Sequence, residues 1–330
     1  MAALQDSAAY HGDVDCKTDS FGAFRPPERR RLSAEPLQQL PRSETTPLIQ
    51  PIVIIGAPRS GTTLLGRLLS RHLELAYIEE PRLIWRYGND RKSDMLTAAD
   101  ARPEVSRYIR AEFTRFLEAS GKKRLLEKTP SNSLRLGFVD RVLPDCLFVH
   151  IVRDPVESIL SIRNYWQQHS RGLPSRKLLQ RVRELSIRQW PHYGRELVRR
   201  VLPARVSGFV GKPVWGPRIP GIQGLLEELP LIEVCALQWR MCVESARFFG
   251  QSLPSDRYLE MRLEELSPES FSNILDFCRL EDSREMRRDF AQIFDPEQVK
   301  HRQSLASVNE LEIIKRWTES TAHWIGGSQL

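Results

Sequence analysis

The 330-residue chain has no long apolar run: uninterrupted stretches such as Ile52 to Ile55 fall far short of the ~18 residues that span a bilayer, so no integral membrane segment is expected. The opening MAALQDSAAYHGDVDC has neither the basic start nor the apolar stretch of a secretory leader. Cysteine is scarce: Cys16, Cys146, Cys235, Cys242 and Cys278 are odd in number and show no CxxC or Cys/His ligand spacing. That excludes a disulfide framework and a zinc site from the expectations, and it fits a reducing, cytoplasmic compartment. Gly 18 and Pro 22 are too few for a collagen-like or low-complexity chain. No internal repeat of about 20–50 residues is visible. Acidic charge is in deficit, with Asp+Glu 42 against Lys+Arg 49 and a net charge of +7. This permits nucleic acid, a membrane surface or a small anionic ligand as partner and chooses none of them.

What is present is an alternation of strand-length and helix-length segments. Residues 1–48, rich in Pro, Ser and charge and carrying the run Arg29 to Arg31, read as a flexible N-terminal arm, with the arginines in a solvated tail rather than on nucleic acid. PIVIIG then reads as a buried strand, followed by a helix over TTLLGRLLSRHL. LELAYI, RLLEK, CLFVHIV and DRYLEMRL read as further strands, with PEVSRYIRAEFTRFLEA and SLRLGFVDRVL as helices between them. Helix-length crossovers between buried strands predict an α/β fold, with a parallel sheet of about five strands flanked by helices. The spacing assigns 49–330 to a single domain, in which 170–250 is a helical and loop insertion containing GFVGKPVWGPRIPG.

Two junctions carry the chemistry. After the first strand stands Gly56-Ala57-Pro58-Arg59-Ser60-Gly61-Thr62-Thr63, a P-loop-like phosphate-binding sequence in which Thr62 replaces the usual lysine. Its amides and the helix N-terminus can hold a phosphate, with Arg59 as the cation. After CLFVHIV stands Arg153-Asp154-Pro155, opening a helix that bears Ser158 and Ser161. Arg153 would sit at the carboxyl end of a parallel strand, where open α/β sheets bind ligands. Asp154 and Pro155 also make an ordinary helix start, as N-cap and first helical residue.

The pair PRSGTT and VRDPVESILS resembles the sulfotransferases that use 3′-phosphoadenosine-5′-phosphosulfate (PAPS). The resemblance implies that Arg59, Ser60, Gly61, Thr62 and Thr63 bind the 5′-phosphosulfate and that Arg153 and Ser161, eight residues apart, bind the 3′-phosphate. YIEEPR is similar to the GEETR segment of the tyrosylprotein sulfotransferases, which makes Glu80 the implied general base and Arg82 a second active-site residue. LEKTP resembles the family's strand ending in lysine, so Lys128 is the implied stabiliser of the sulfuryl group, with Arg59 beside it. SVNELEIIKRW resembles the closing segment that folds over the cofactor, with Ala306 where a lysine is expected and Lys300, His301 and Arg302 as substitutes. The resemblance implies PAPS as donor, no metal, and a hydroxyl acceptor that is a small molecule, carbohydrate or lipid.

Plainer readings stand beside these. Glu79 and Glu80 could be a solvated acidic pair, and Glu127 and Lys128 a surface ion pair. His72 and His150 read as structural, and Ala236, Trp239, Val243 and Phe248 as a helix core stripe. Lys212, Trp215 and Arg218 belong either to a linker or to an acceptor-binding lid, whose cations would favour an anionic acceptor. A protein-tyrosine sulfotransferase is the alternative within the same chemistry. Should Glu80 not be the base, Glu79 is the next candidate and His192 the one after it. A non-catalytic module that keeps the anion clamps is another. A P-loop nucleotide kinase is disfavoured by Thr62 in place of lysine and by the arginine at the end of IVRD.

Overall fold

The computed structural model describes residues 47–169, 214–296 and 306–326. Arg29 to Arg31 and nearly all of the expected arm, His192, Lys212, Lys300, His301 and Arg302 lie outside the described residues.

Five strands pair in one wholly parallel sheet: β1 (Ile52–Ile55), β2 (Leu75–Glu79), β3 (Arg124–Lys128), β4 (Leu147–Val152) and β5 (Tyr258–Arg262), in the order β2-β3-β1-β4-β5. The strands are those the sequence predicts. β1 and β4 are buried along their whole length, as central strands of a sheet covered on both faces must be. The edge strand β5 is only half-buried throughout.

Side chains of β1 alternate between two cores. Ile52 and Ile54 face α1 (Thr62–Leu69) through Leu65, Leu68 and Leu69, together with residues of α8 (Pro268–Phe277) and α9 (Arg284–Ile293). Val53 and Ile55 face the opposite core, which holds α3 (Pro103–Ser120) and α4 (Leu136–Val142). In α3 the buried residues Val105, Ile109, Phe113 and Leu117 recur every fourth position, Pro103 sits at the start and left-handed Gly121 ends the helix. Each such side chain, fully buried, contributes roughly 1.5–3 kcal/mol.

A third cluster joins α5 (Pro155–His169), α6 (Ile222–Glu228), α7 (Leu231–Gly250) and α10 (Val308–Trp324). Ala236, Trp239 and Val243 of α7 are buried as expected, but Phe248 is 47% exposed. The helical period carries the stripe from Val243 to Ala246 and Gly250, which leaves position 248 on the outer face. Cys146, Cys235, Cys242 and Cys278 are buried free thiols. Among the described residues no helix is long and apolar enough to cross a membrane.

The strand order reverses at β1: β3 and β2 lie on one side of it, β4 and β5 on the other. Loops leaving the carboxyl ends of β1, β3 and β4 therefore diverge around a crevice at that switch point. The short helix α2 (Arg82–Arg86) follows β2 at the same edge.

Candidate active site

The β1–α1 loop is shaped by what it cannot accommodate. A Cβ on Gly56 would lie 2.4 Å from the Ile151 carbonyl oxygen, and one on Gly61, at φ 95°, would lie 2.7 Å from Leu263. Ser60 is buried and its hydroxyl donates to the Ala57 carbonyl at 2.7 Å, closing the turn. The Gly56 amide donates to Ser133 Oγ at 2.8 Å, which fastens the loop to the turn after β3. Gly61 caps α1 without a side chain, and the first turn carries no acidic residue. The leading amides of α1 thus have neither a side-chain cap nor a carboxylate within their own turn, the arrangement that binds anions.

Lys128 ends β3 directly beside this loop. Its side chain is fully buried, and its Nζ donates to Thr63 Oγ1 at 3.0 Å, Glu79 Oε1 at 2.9 Å and Glu80 Oε1 at 3.0 Å. β2 and β3 pair Glu79 with Lys128 in register, and the Glu80 amide donates to the Lys128 carbonyl at 2.8 Å. Arg82 Nη2 reaches the other oxygen, Glu80 Oε2, at 2.6 Å. Burial would raise the Glu80 pKa, but Arg82 and Lys128 outweigh it and hold the carboxyl down at about 2. Lys128 and Glu127 do not form a surface ion pair. Glu127 is wholly buried and accepts from Trp85 Nε1 at 3.0 Å, Asn132 Nδ2 at 2.9 Å and the Thr129 hydroxyl. Burial raises its pKa to about 7.

The third component comes from α5. Asp154 caps the helix as expected, its Oδ1 accepting from the Glu157 amide at 3.0 Å. Arg153 Nη1 donates to the Arg59 carbonyl at 3.4 Å, while Arg59 Nε donates to Ser161 Oγ at 3.0 Å. Arg153 Nε and Ser158 Oγ are buried and have no hydrogen-bond partner among the described residues. Burial lowers the Arg59 pKa, and the nearby Arg153 guanidinium adds to that effect. Uncommitted buried donors beside paired cations fit an anion.

Two members of this site escaped the sequence reading. The Arg59 guanidinium lies over the Tyr165 ring, 5.3 Å from its centroid, and the Tyr165 and Trp215 rings are 4.8 Å apart. Tyr165 follows Ser161 by one helical turn on the same face, and that spacing was the available signal. Ser158 stands on the expected helix, and nothing in its spacing assigns it a role.

The remaining candidates fall elsewhere. Arg218 is tied to Asp94, which also engages Arg86 and Arg135. His150 Nδ1 lies 2.7 Å from the Tyr258 hydroxyl and 3.2 Å from Glu260, inside the β4–β5 pair and away from the loop. His72 Nδ1 accepts from the Glu74 amide at 3.3 Å. Ala306 packs against the α5–α7–α10 cluster, and Arg163 of α5 ion-pairs with Glu310 of α10. No cluster of three or more His, Cys, Asp or Glu side chains among the described residues is arranged to hold a metal ion.

Residues 51–211 match the model of the sulfotransferase family. Nodulation protein NoeE of Sinorhizobium fredii (strain NBRC 101917 / NGR234) is 28% identical over 139 residues, which cover 37% of this chain and 33% of that protein. The chain thus matches about a third of the length of that curated relative. Among solved structures, a sulfotransferase domain from the curacin biosynthetic pathway is similar over 86% of this chain and 100% of its own, at 15% identity and a TM-score of 0.47. Sulfotransferase STF9 from Mycobacterium avium is similar over 86% of this chain and 78% of its own, at 12% identity and a TM-score of 0.49. The matched segment, just under half of the chain, begins at β1 and contains the phosphate-binding loop, Glu80, Lys128 and the Arg153–Ser161 motif, and over it the chain is similar to the sulfotransferase family.

Proposed function

We propose that the chain transfers the sulfuryl group of PAPS to a hydroxyl of a small-molecule, carbohydrate or lipid acceptor. The observation that carries this reading is the Lys128 ammonium, which bonds both Thr63 of the phosphate-binding loop and the Glu80 carboxylate. One group thereby touches the anion-binding and the proton-accepting sides of a single crevice.

PAPS, when bound, supplies a sulfuryl group attached to a phosphate that can leave. The loop amides, Arg59 and Thr63 hold the 5′ end, and Arg153, Ser158 and Ser161 hold the 3′-phosphate. Glu80 takes the proton of the attacking hydroxyl at a carboxylate oxygen. Both of its oxygens are already bonded, but a carboxylate offers about four acceptor positions, so one remains for the acceptor. A carboxylate at about 2 is ionised at neutral pH yet a weak base. Any bond that Lys128 gives up to the donor's anion relaxes its hold on Glu80 and strengthens that base. Lys128 also donates where negative charge develops on the leaving oxygen. Fixed cations and amides take the part that Mg²⁺ plays in nucleotide kinases.

Calorimetry on the full chain tests this. 3′-Phosphoadenosine-5′-phosphate without metal should bind, and at 100 times its dissociation constant it should stabilise the fold by about 2.7 kcal/mol. A nucleotide lacking the 3′-phosphate should do much less. Preferential binding of ATP with Mg²⁺ would replace this reading with the kinase one. Labelled PAPS offered with sugars, lipids, phenols and peptides then identifies the acceptor.

A further inference from the structure

Adjacent residues of a strand direct their side chains to opposite faces. Glu79 and Glu80 nevertheless converge on one ammonium, because Glu80 adopts a left-handed backbone with φ 53°. For a residue other than glycine that conformation costs roughly 1–2 kcal/mol. With Thr63 as the third acceptor, all three protons of Lys128 are engaged. The proposed reaction uses only one of the two carboxylates, and that one is fixed by Arg82. Glu79 is held differently: its side chain is 47% exposed, and Oε1 accepts from Lys128 and, at 3.5 Å, from the Thr63 hydroxyl. Those are the two groups that a donor anion in the loop would need.

We propose that Glu79 is a built-in competitor of the donor. Its carboxylate bonds Lys128 and Thr63 and swings outward when an anion enters the loop. The inference rests on the reading of this crevice as the donor site. Two negative groups cannot share one ammonium at hydrogen-bond distance without repulsion, and the half-exposed Glu79 is the one free to leave for water. Once the sulfuryl group has been transferred, the same carboxylate returns to Lys128 and hastens departure of the spent nucleotide. Glu79 is therefore a positioning residue that sets donor affinity and product release, and the proton transfer is left to Glu80.

The test is titration of the full chain with 3′-phosphoadenosine-5′-phosphate, for the parent, Glu79→Gln and Glu74→Gln. Glu74 precedes the opposite end of β2 and pairs with Lys123, so its variant makes the same change in net charge away from the loop. Glu79→Gln should bind the nucleotide roughly tenfold more tightly, the scale of one charge-assisted hydrogen bond no longer displaced. Its KM for the donor should fall and product release should slow, while Glu74→Gln matches the parent. Unchanged or weaker binding by Glu79→Gln overturns the proposal, and weaker binding would mean that Glu79 merely orients Lys128. If the Gln variant does not melt cooperatively, Glu79→Ala carries the same expectation. A parent that binds no nucleotide overturns the donor-site reading itself, a result distinct from binding that Glu79 does not modulate.

Discussion

Two ionic clusters lie near the carboxyl ends of β2 and β3, and they are built in opposite ways. Around Lys128, one buried cation meets Glu79 and Glu80, whose side chains are 47% and 30% exposed. Around Asp94, one buried carboxylate meets Arg86, Arg135 and Arg218; Asp94 and Arg135 are both sealed at 0% side-chain exposure. Asp94 also accepts from the Arg218 amide at 2.8 Å and donates its own amide to the Arg218 carbonyl at 2.7 Å. The three guanidinium groups hold its pKa far below the usual carboxylate range, although burial alone would raise it. In the proposed reading, the half-exposed partners of the first cluster would be exchanged for a ligand. The second rivets the segment around Asp94 to the one around Arg218. Density of charge does not distinguish a site from a rivet; access of the partners to solvent does.

The largest effect is expected of Glu80→Gln. It should lower sulfuryl transfer roughly 10²–10⁴-fold, as removal of a general base does, with the nucleotide still bound and the melting curve intact. Turnover within about threefold of the parent would move the base to Glu79 or His192. Asp94→Ala should do the reverse, costing about 3–5 kcal/mol of stability in urea denaturation by leaving buried arginines unpaired. A mild loss of stability with a large loss of acceptor affinity would make the rivet a second binding site.

Arg153→Ala should weaken binding of 3′-phosphoadenosine-5′-phosphate by roughly 1.5–3 kcal/mol in calorimetry. The fold should survive, since the cap of α5 is Asp154. The smallest effect is on acid stability. The Glu80 pKa is lowered on folding from 4.5 to about 2, so its contribution is complete above about pH 4.5 and is lost as the pH falls through about 2. Between those limits the parent should lose more stability than Glu80→Gln, and parallel curves would show that the carboxylate is not held by its two cations.

The sheet was legible because buried parallel strands write themselves as short β-branched runs, as IVII and LFVHIV do. β3 was found with the same limits it has in the structure, bounded by the turn residues around Thr129 and Pro130. Helices α8 and α9 were not anticipated, although Ser267-Pro268 and Ser283 signal their starts. The candidate site was legible in the sequence wherever a single motif would supply it, in the loop at Arg59 and the run from Arg153 to Ser161. It was not legible where the backbone departs from its regular form. Pairing of Glu79 and Glu80 on one ammonium depends on a left-handed residue inside a polar pair, for which composition offers no signal. Nor did the cations around Arg218 reveal their partner, because Asp94 is remote in sequence and only the fold brings it near.

Arg59 is gripped at both ends by the β4–α5 segment, its carbonyl by Arg153 and its guanidinium by Ser161. A molecule that claims Arg153 and Ser161 therefore unties Arg59, and one that claims Arg59 frees Ser161. Contacts to the two halves of the crevice are not independent, and their free energies do not simply add. Small fragments each have to break the tether for themselves, whereas a ligand long enough to fill both halves breaks it once. Affinity across this crevice should rise more steeply with ligand length than a count of phosphate groups implies.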